Sequence, residues 1–184
     1  MSDYAKRNGE GDHRIKDDDP KAIALLKEEH HKFRELFDQA NDAEGDELVE
    51  VARELSLRLT VHMTIEEEIL YPVGKQVGDA DEVDEGIVEH EAGKQLMAEI
   101  DAMDGSEELF KSKVHVLGEQ TIHHIDEEDE ELFAEMIEAH EKGKIDLDAI
   151  GEELRARQAD LYDQIASGHD VEPLSEDEAL AETK

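Results

Sequence analysis

Along the middle of the chain, apolar residues recur three and four positions apart, the period of an α-helix. Short Asp- and Gly-rich breaks at Asn41–Asp46, Gly78–Asp81 and Asp104–Ser106 divide that pattern into four segments. The first helix is predicted from Pro20, which suits a first turn, with Asp19 as its cap, to about Asn41. The second is predicted over about Asp46–Gln76, bending or stopping early at Pro72. The third covers Asp81–Met103. The fourth runs from a Ser106 cap, with Glu107 and Glu108 in its first turn, to about Glu141. A weaker pattern at Ile150, Leu154, Leu161 and Ile165 predicts an amphipathic fifth helix over Leu147–Ile165. Helices joined by short connections run antiparallel as neighbours. The expected fold is therefore all-α: an up-down-up-down four-helix bundle over residues 19–142, with an additional C-terminal helix in residues 143–167. Residues 1–18 and 168–184 are polar, acidic and aperiodic, and are expected to be disordered tails.

The inward stripes carry the chemistry. Helix one reads Ile23, Leu26, His30, Phe33, Phe37, with a histidine in place of a core residue. Helix two reads Leu48, Val51, Leu55, Leu59, His62, Glu66, Ile69, Val73; helix three reads Val83, Ile87, His90, Lys94, Met97. Helix four reads Phe110, Val114, Leu117, Thr121, His124, Glu128, Leu132. His and Glu one turn apart project from one helix face, so His62 with Glu66 and His124 with Glu128 can each clamp one site. At roughly 1.5 Å per residue the six polar positions lie within about two turns of one height. A lone buried histidine is more often a hydrogen-bonded core residue than a ligand. Two His/Glu pairs plus one stripe histidine on each other helix point instead to a metal, because burying them uncompensated is costly. Imidazole and carboxylate donors suit iron, manganese or zinc, and a carboxylate can bridge two ions. His31 and His123 adjoin chosen ligands, but they fall off the apolar phase; Phe110, Leu117 and His124 share one row. His115 flanks the stripe, and His13, His140 and His169 read as surface or tail residues.

Composition narrows the chemistry and the partners. The 184 residues include no cysteine, which excludes disulfides, Cys-zinc sites, iron–sulfur clusters and thiol catalysis. Fifty-three acidic residues face 19 basic ones, a formal charge of −34. Such a surface repels phosphates and anionic lipid, so neither nucleic acid nor membrane is an expected partner. It also fits a salty cytoplasm, where screening tolerates self-repulsion. No apolar run approaches a membrane span or the core of a signal peptide, so a cytoplasmic protein, monomer or homodimer, is expected.

The segments LLKEEHHKFRELF, HMTIEEEILYP, EHEAGKQLMAEI and HHIDEEDEELF resemble the hemerythrin-like, His-His-Glu cation-binding family. The resemblance carries the family's ligands onto His30, His62, Glu66, His90, His124 and Glu128. It implies two Fe ions joined by both Glu carboxylates and an oxo or hydroxo bridge. Oxygen-carrying members have a fifth histidine where this chain has Lys94, and a protonated ammonium cannot ligate. One iron is then expected to keep an open coordination position, the arrangement of reactive metal sites. A mononuclear site stays open as well. Gly86 and Gly93 leave room for a small ligand or mark close packing; Tyr71 donates a hydrogen bond, serves redox chemistry, or packs with its hydroxyl at the bundle end.

The expected function is a non-haem iron protein that binds or senses oxygen, nitric oxide or peroxide. The alternative is a redox enzyme decomposing peroxide or nitric oxide at the same site. Ferritin-like iron oxidation needs Glu-x-x-His on two helices, and this chain offers only Glu28 to His31, out of phase.

Overall fold

The computed structural model describes residues 3–168, and every regular element in that span is helical. The bundle is built from α1 (Lys21–Asp42), α2 (Gly45–Ile65), α4 (Ala80–Asp101) and α5 (Phe110–Glu127). Two further pieces extend it, α3 (Tyr71–Val77) from α2 and α6 (Phe133–Glu141) from α5. Each extension is joined through one π-helical turn, Glu66–Leu70 in the first case and Glu128–Leu132 in the second. The contacts α1 to α2, α2 to α4, α4 to α5 and α5 to α1 close a ring of four helices.

Pro72 therefore neither stops nor breaks its helix. It sits at the first turn of α3, where its missing N–H follows a turn already widened. The fourth helix begins later than its sequence suggests. Ser106 does not cap it; Asp104 and Gly105 donate their N–H groups to Glu107, and Gly105 takes φ +93°, which holds a turn ahead of Phe110. At the first helix Asp19 is not the cap. Pro20 holds that position, and Asp148 of the C-terminal helix accepts from the Lys21 N–H at 3.0 Å.

That C-terminal helix, α7 (Leu147–Ala166), packs on α1 and α2 of its own chain. Gly151 permits the approach, since a Cβ there would lie 2.4 Å from the Ala22 backbone nitrogen. Leu147, Leu154 and Leu161 are thereby buried. Residues 4–13, expected to be disordered, form two 3-10 turns (Ala5–Gly9 and Gly11–His13) against the bundle. Polar contacts hold them: the N–H groups of Tyr4 and Ala5 donate to Asp38, Arg7 pairs with Asp126, and His13 meets Asp129 at 3.0 Å. Hydrophobic periodicity cannot register such anchoring. His13 is thus buried, not a surface residue. His169 and the predicted tail beyond Gly168 lie outside the described residues.

Two apolar clusters fill the interior. One gathers Phe33, Phe37, Leu55, Leu59, Met97 and Phe110; the other gathers Ile23, Leu26, Ile65, Val83, Phe133 and the α7 leucines. Between them lies a polar layer. Among the described residues no helix is long and apolar enough to cross a membrane.

Candidate metal centre

That layer contains the six residues chosen by stripe phase, all at most 6% exposed: His30 on α1, His62 on α2, Glu66 and Glu128 in the two π turns, His90 on α4 and His124 on α5. Their donor atoms form two groups. His30, His62, Glu66 and Glu128 make one, Glu66, His90 and His124 the other, and within each group the atoms lie within 4.8 Å of one another. Glu66 belongs to both, with Oε2 3.3 Å from His62 Nε2 and 3.5 Å from His90 Nε2. Glu128 also spans the layer, Oε2 lying 3.5 Å from His30 Nε2 and 3.6 Å from His124 Nε2. Among the described residues, His30 Nε2, His62 Nε2, both Glu66 oxygens and Glu128 Oε2 are buried without a hydrogen-bond partner. Each would cost free energy in an apolar interior, and a cation reverses the sign of that term. Neutral nitrogen and carboxylate oxygen donors converging in this way fit a metal ion.

All four imidazoles are held from behind by a carboxylate. His62 Nδ1 donates to Glu29 at 3.1 Å, His90 to Glu67 at 2.9 Å, His124 to Glu89 at 2.8 Å and His30 to Asp129 at 2.9 Å. A carboxylate only accepts, so Nδ1 carries the proton and the Nε2 lone pair faces inward. The holding residues form a closed circuit around the bundle. The carboxylate on α1 holds the histidine of α2, that following α2 holds α4, α4 holds α5, and the turn after α5 holds α1. Each holding carboxylate is the sequence neighbour of a layer residue: Glu29 of His30, Glu67 of Glu66, Glu89 of His90, Asp129 of Glu128. That adjacency is the signal that could have found them, although one acidic neighbour says little in so acidic a chain.

The electrostatics follow from this crowding. Burial and the nearby Glu128 hold the Glu66 carboxyl well above its ordinary range. Burial, together with the neighbouring His124, pushes His90 well below the ordinary imidazole value. Burial also works against charge on His124, but Glu128 and Glu89 outweigh it and raise that imidazole. Burial likewise opposes charge on Asp129, yet His30 and Arg34 prevail and hold its carboxyl far below the usual range. The Glu66 carboxylate is thus unfavourable in this layer without a cation beside it.

Tyr71 is not at the bundle end. It is 2% exposed, and its hydroxyl enters the layer, donating to Glu128 Oε1 at 2.9 Å and lying 3.2 Å from His90 Nε2. In a regular helix a residue five beyond Glu66 would face roughly 140° away. The π turn instead bonds the Tyr71 N–H to the Glu66 carbonyl and returns Tyr71 to the inward face. Lys94 turns away from the layer, and its Nζ grips both oxygens of Glu67 at 2.6 Å.

Gly86 and Gly93 each border an opening. A cavity of 270 Å³ lined by Tyr71, Glu82, Gly86, Glu89, His124 and Glu131 reaches the layer from one side. A smaller one of 130 Å³, lined by Met63, His90, Gly93, Thr121, His124 and Ile125, reaches it from another. The other described histidines, His31 and His123 off the apolar phase among them, lie away from the layer. His123 is largely exposed beside Glu127, and His115 meets Asn41 at the surface. His31 donates outward to the His13 carbonyl at 2.7 Å, and His140 accepts from the Leu147 N–H at 3.2 Å.

Comparison with known proteins agrees with this geometry. A DNA nickase of Nostoc sp. (strain PCC 7120 / SAG 25.82 / UTEX 2576) is 29% identical over 113 residues, 60% of this chain. The chain spans only about a third (32%) of that relative's length. No solved structure matches. Residues 21–136 match the hemerythrin HHE cation binding domain, a stretch that runs from the first residue of α1 into α6 and contains all six layer residues. The chain belongs to the hemerythrin HHE cation-binding family.

Proposed function

We propose that the chain is a di-iron protein that binds or senses oxygen, nitric oxide or peroxide. His30, His62, Glu66 and Glu128 would hold one iron and Glu66, His90 and His124 the other, with Glu128 also within 3.6 Å of His124. The observation that carries this reading is the pair of donor groups sharing Glu66, every imidazole backed by its own carboxylate. The donor types suit iron, manganese or zinc, and the family resemblance favours iron. Iron supplies ligand binding and one-electron chemistry when present. The chain's own part is to fix the four tautomers and to leave a small ligand a way into the layer. Phe33 and Phe133 lie against His62 and His30 and close the first group. The cavities beside Gly86 and Gly93 reach His90 and His124 and also touch Glu128 and His62, so a small ligand enters the layer there.

A redox enzyme acting on peroxide or nitric oxide is the second reading. Two separate approaches to His124 and a buried phenol beside it favour it. Adding peroxide separates the two: a stable stoichiometric adduct indicates binding, and turnover indicates an enzyme. The nickase name of the Nostoc relative is not extended to this chain, because its charge of −34 repels phosphate. Burial of the α7 apolar face within its own chain supports a monomer, and the surface charge supports a salt-screened cytoplasm.

Metal analysis of protein purified without chelator tests the reading, with two irons per chain expected. His124→Ala loses iron, whereas His123→Ala retains it. Equal binding by the two variants contradicts the assignment.

A further inference from the structure

A third group of donors stands outside the layer. We propose that Glu89, His123 and Glu127 form an entry site for a divalent metal ion, which then passes along the larger cavity to the layer. The inference rests on the di-iron reading above and adds the way by which iron arrives.

Glu89 on α4 faces His123 and Glu127, which are one turn apart on α5, and one donor atom from each lies within 4.8 Å of the others. His123 Nε2 is 3.4 Å from Glu127 Oε1. One imidazole and two carboxylates from two helices suit a divalent cation. Exposed acids alone would say little in so acidic a chain, but the same helix offers a comparison. His115 and Glu119 are also one turn apart, at 3.5 Å, yet among the described residues no third His, Asp or Glu completes a group with them, and His115 Nδ1 meets Asn41. The α5 pair that gains a third donor is the one beside the layer.

Glu89 links the outer group to the inner ones. Its Oε2 accepts the His124 Nδ1 proton at 2.8 Å, and a carboxylate has lone pairs to spare for an outer ion. Glu127 borders the larger cavity, His123 the smaller, and Glu89 both. Side-chain exposure falls from 66% at His123 through 44% at Glu127 and 29% at Glu89 to 6% at Glu128, which also lines the larger cavity. The sequence of donors therefore runs inward.

The cavity walls select a cation. The larger cavity carries Asp79, Asp81, Glu82, Glu85 and Glu131, and neither lysine nor arginine lines it. Two of its carboxylate oxygens, Glu82 Oε1 and Glu128 Oε2, are buried without a hydrogen-bond partner among the described residues. A cleft with walls of one sign focuses the field and draws in the opposite charge. The unpaired oxygens then replace the water that the ion sheds, and no electron is transferred. The smaller cavity is lined by Leu59, Met63 and Ile125 and offers no carboxylate beyond Glu89. Exposed donors release an ion as readily as they take it, so the resident complement stays at two irons.

Uptake of Fe²⁺ by the metal-free full chain tests the entry site, followed without oxygen by quenching samples with a ferrous chelator and counting protein-bound iron. In His123→Ala and Glu127→Gln, uptake at low salt should slow by about tenfold, the lower end of what a focused field contributes, while the final count still reaches two. His115→Ala removes the pair without a third donor and should load at the parent rate. Equilibrium dialysis of the iron-loaded chain against Zn²⁺ should add one ion to the parent and to His115→Ala, and none to the other two variants. Unchanged uptake in either His123→Ala or Glu127→Gln overturns the proposal, as does an added zinc ion that survives both substitutions. A parent chain that takes up no iron overturns the di-iron reading and this one with it, and the final iron count separates that failure from the first.

Discussion

In the first half of the bundle Arg34 follows His30 by one turn; in the second half Lys94 follows His90 by one turn. Each cation grips the carboxylate that holds that histidine, Arg34 on Asp129 at 2.8 Å and Lys94 on Glu67 at 2.6 Å. The plan is the same, but its surroundings differ. Arg34 and Asp129 are fully buried, and the N-terminal turns cover them through His13 and Arg7. Lys94 and Glu67 remain partly exposed. Asp129 is accordingly held far below the carboxylate range, while Glu67 is raised by burial that Lys94 only partly offsets. Where the first half has Leu26 and Phe33 around its histidine, the second has Gly86 and Gly93, and both cavities open there. The cavities border Gly86 and Gly93, and they touch Glu128 and His62 of the first group as well as His90 and His124 of the second. Lys94 is therefore less a lost ligand than the counterpart of Arg34.

The largest effect that can break this comparison is on stability. Asp129→Asn takes from buried Arg34 one of its two carboxylate partners, leaving Asp126 at 3.0 Å, and should cost about 3 kcal/mol in urea unfolding of the metal-free chain. Glu67→Gln should cost about 1 kcal/mol, since Lys94 can turn to solvent. Equal losses would mean that the halves do not differ in burial as described. Next in size is Gly93→Val, which crowds Met63, whose Cε would lie 3.1 Å from the new Cβ. Its expected cost is about 1–3 kcal/mol. The same variant, loaded with iron, should take up azide more slowly in stopped-flow absorbance. Unchanged uptake would remove the smaller cavity from the account.

The smallest effect concerns the mouth of the larger cavity. Burial, together with Glu131 and Glu135, raises the Glu82 carboxyl from 4.5 to about 7. The folded chain then binds this proton more tightly than the unfolded chain. Stability from this group is present below pH 4.5 and declines as pH rises towards 7. Glu82→Gln should accordingly gain on the parent chain over that window, with no difference at lower pH. Thermal melts across that pH range measure it, and a gap that does not change with pH contradicts the assignment.

Much of this was legible in the sequence, for a specific reason. All six layer residues sit on stripes whose phase is set by Phe, Leu and Ile neighbours, so a helical period suffices to find them. The holding carboxylates did not stand out, because Glu29, Glu67 and Glu89 look like any other acid in this chain. Of the readings open for Tyr71 the hydrogen-bond donor holds and the bundle-end one fails, because the π turn brings inward a residue that a straight 3.6-residue helix would turn outward. Pro72 hints at irregularity there, but the turn before Phe133 widens without a proline, so the proline is not the general cause. Nor did the sequence reveal a repeat. The offset between matching residues differs between the α1/α4 and α2/α5 pairs, which leaves no fixed period to detect.

The claim that two unequal halves each hold an iron is tested most directly by Mössbauer spectroscopy of the chain titrated with ⁵⁷Fe. Two irons per chain in two distinct doublets of equal area are predicted, with the second doublet alone shifting on adding azide. Saturation at one iron, or a single doublet that responds as a whole, would contradict the account.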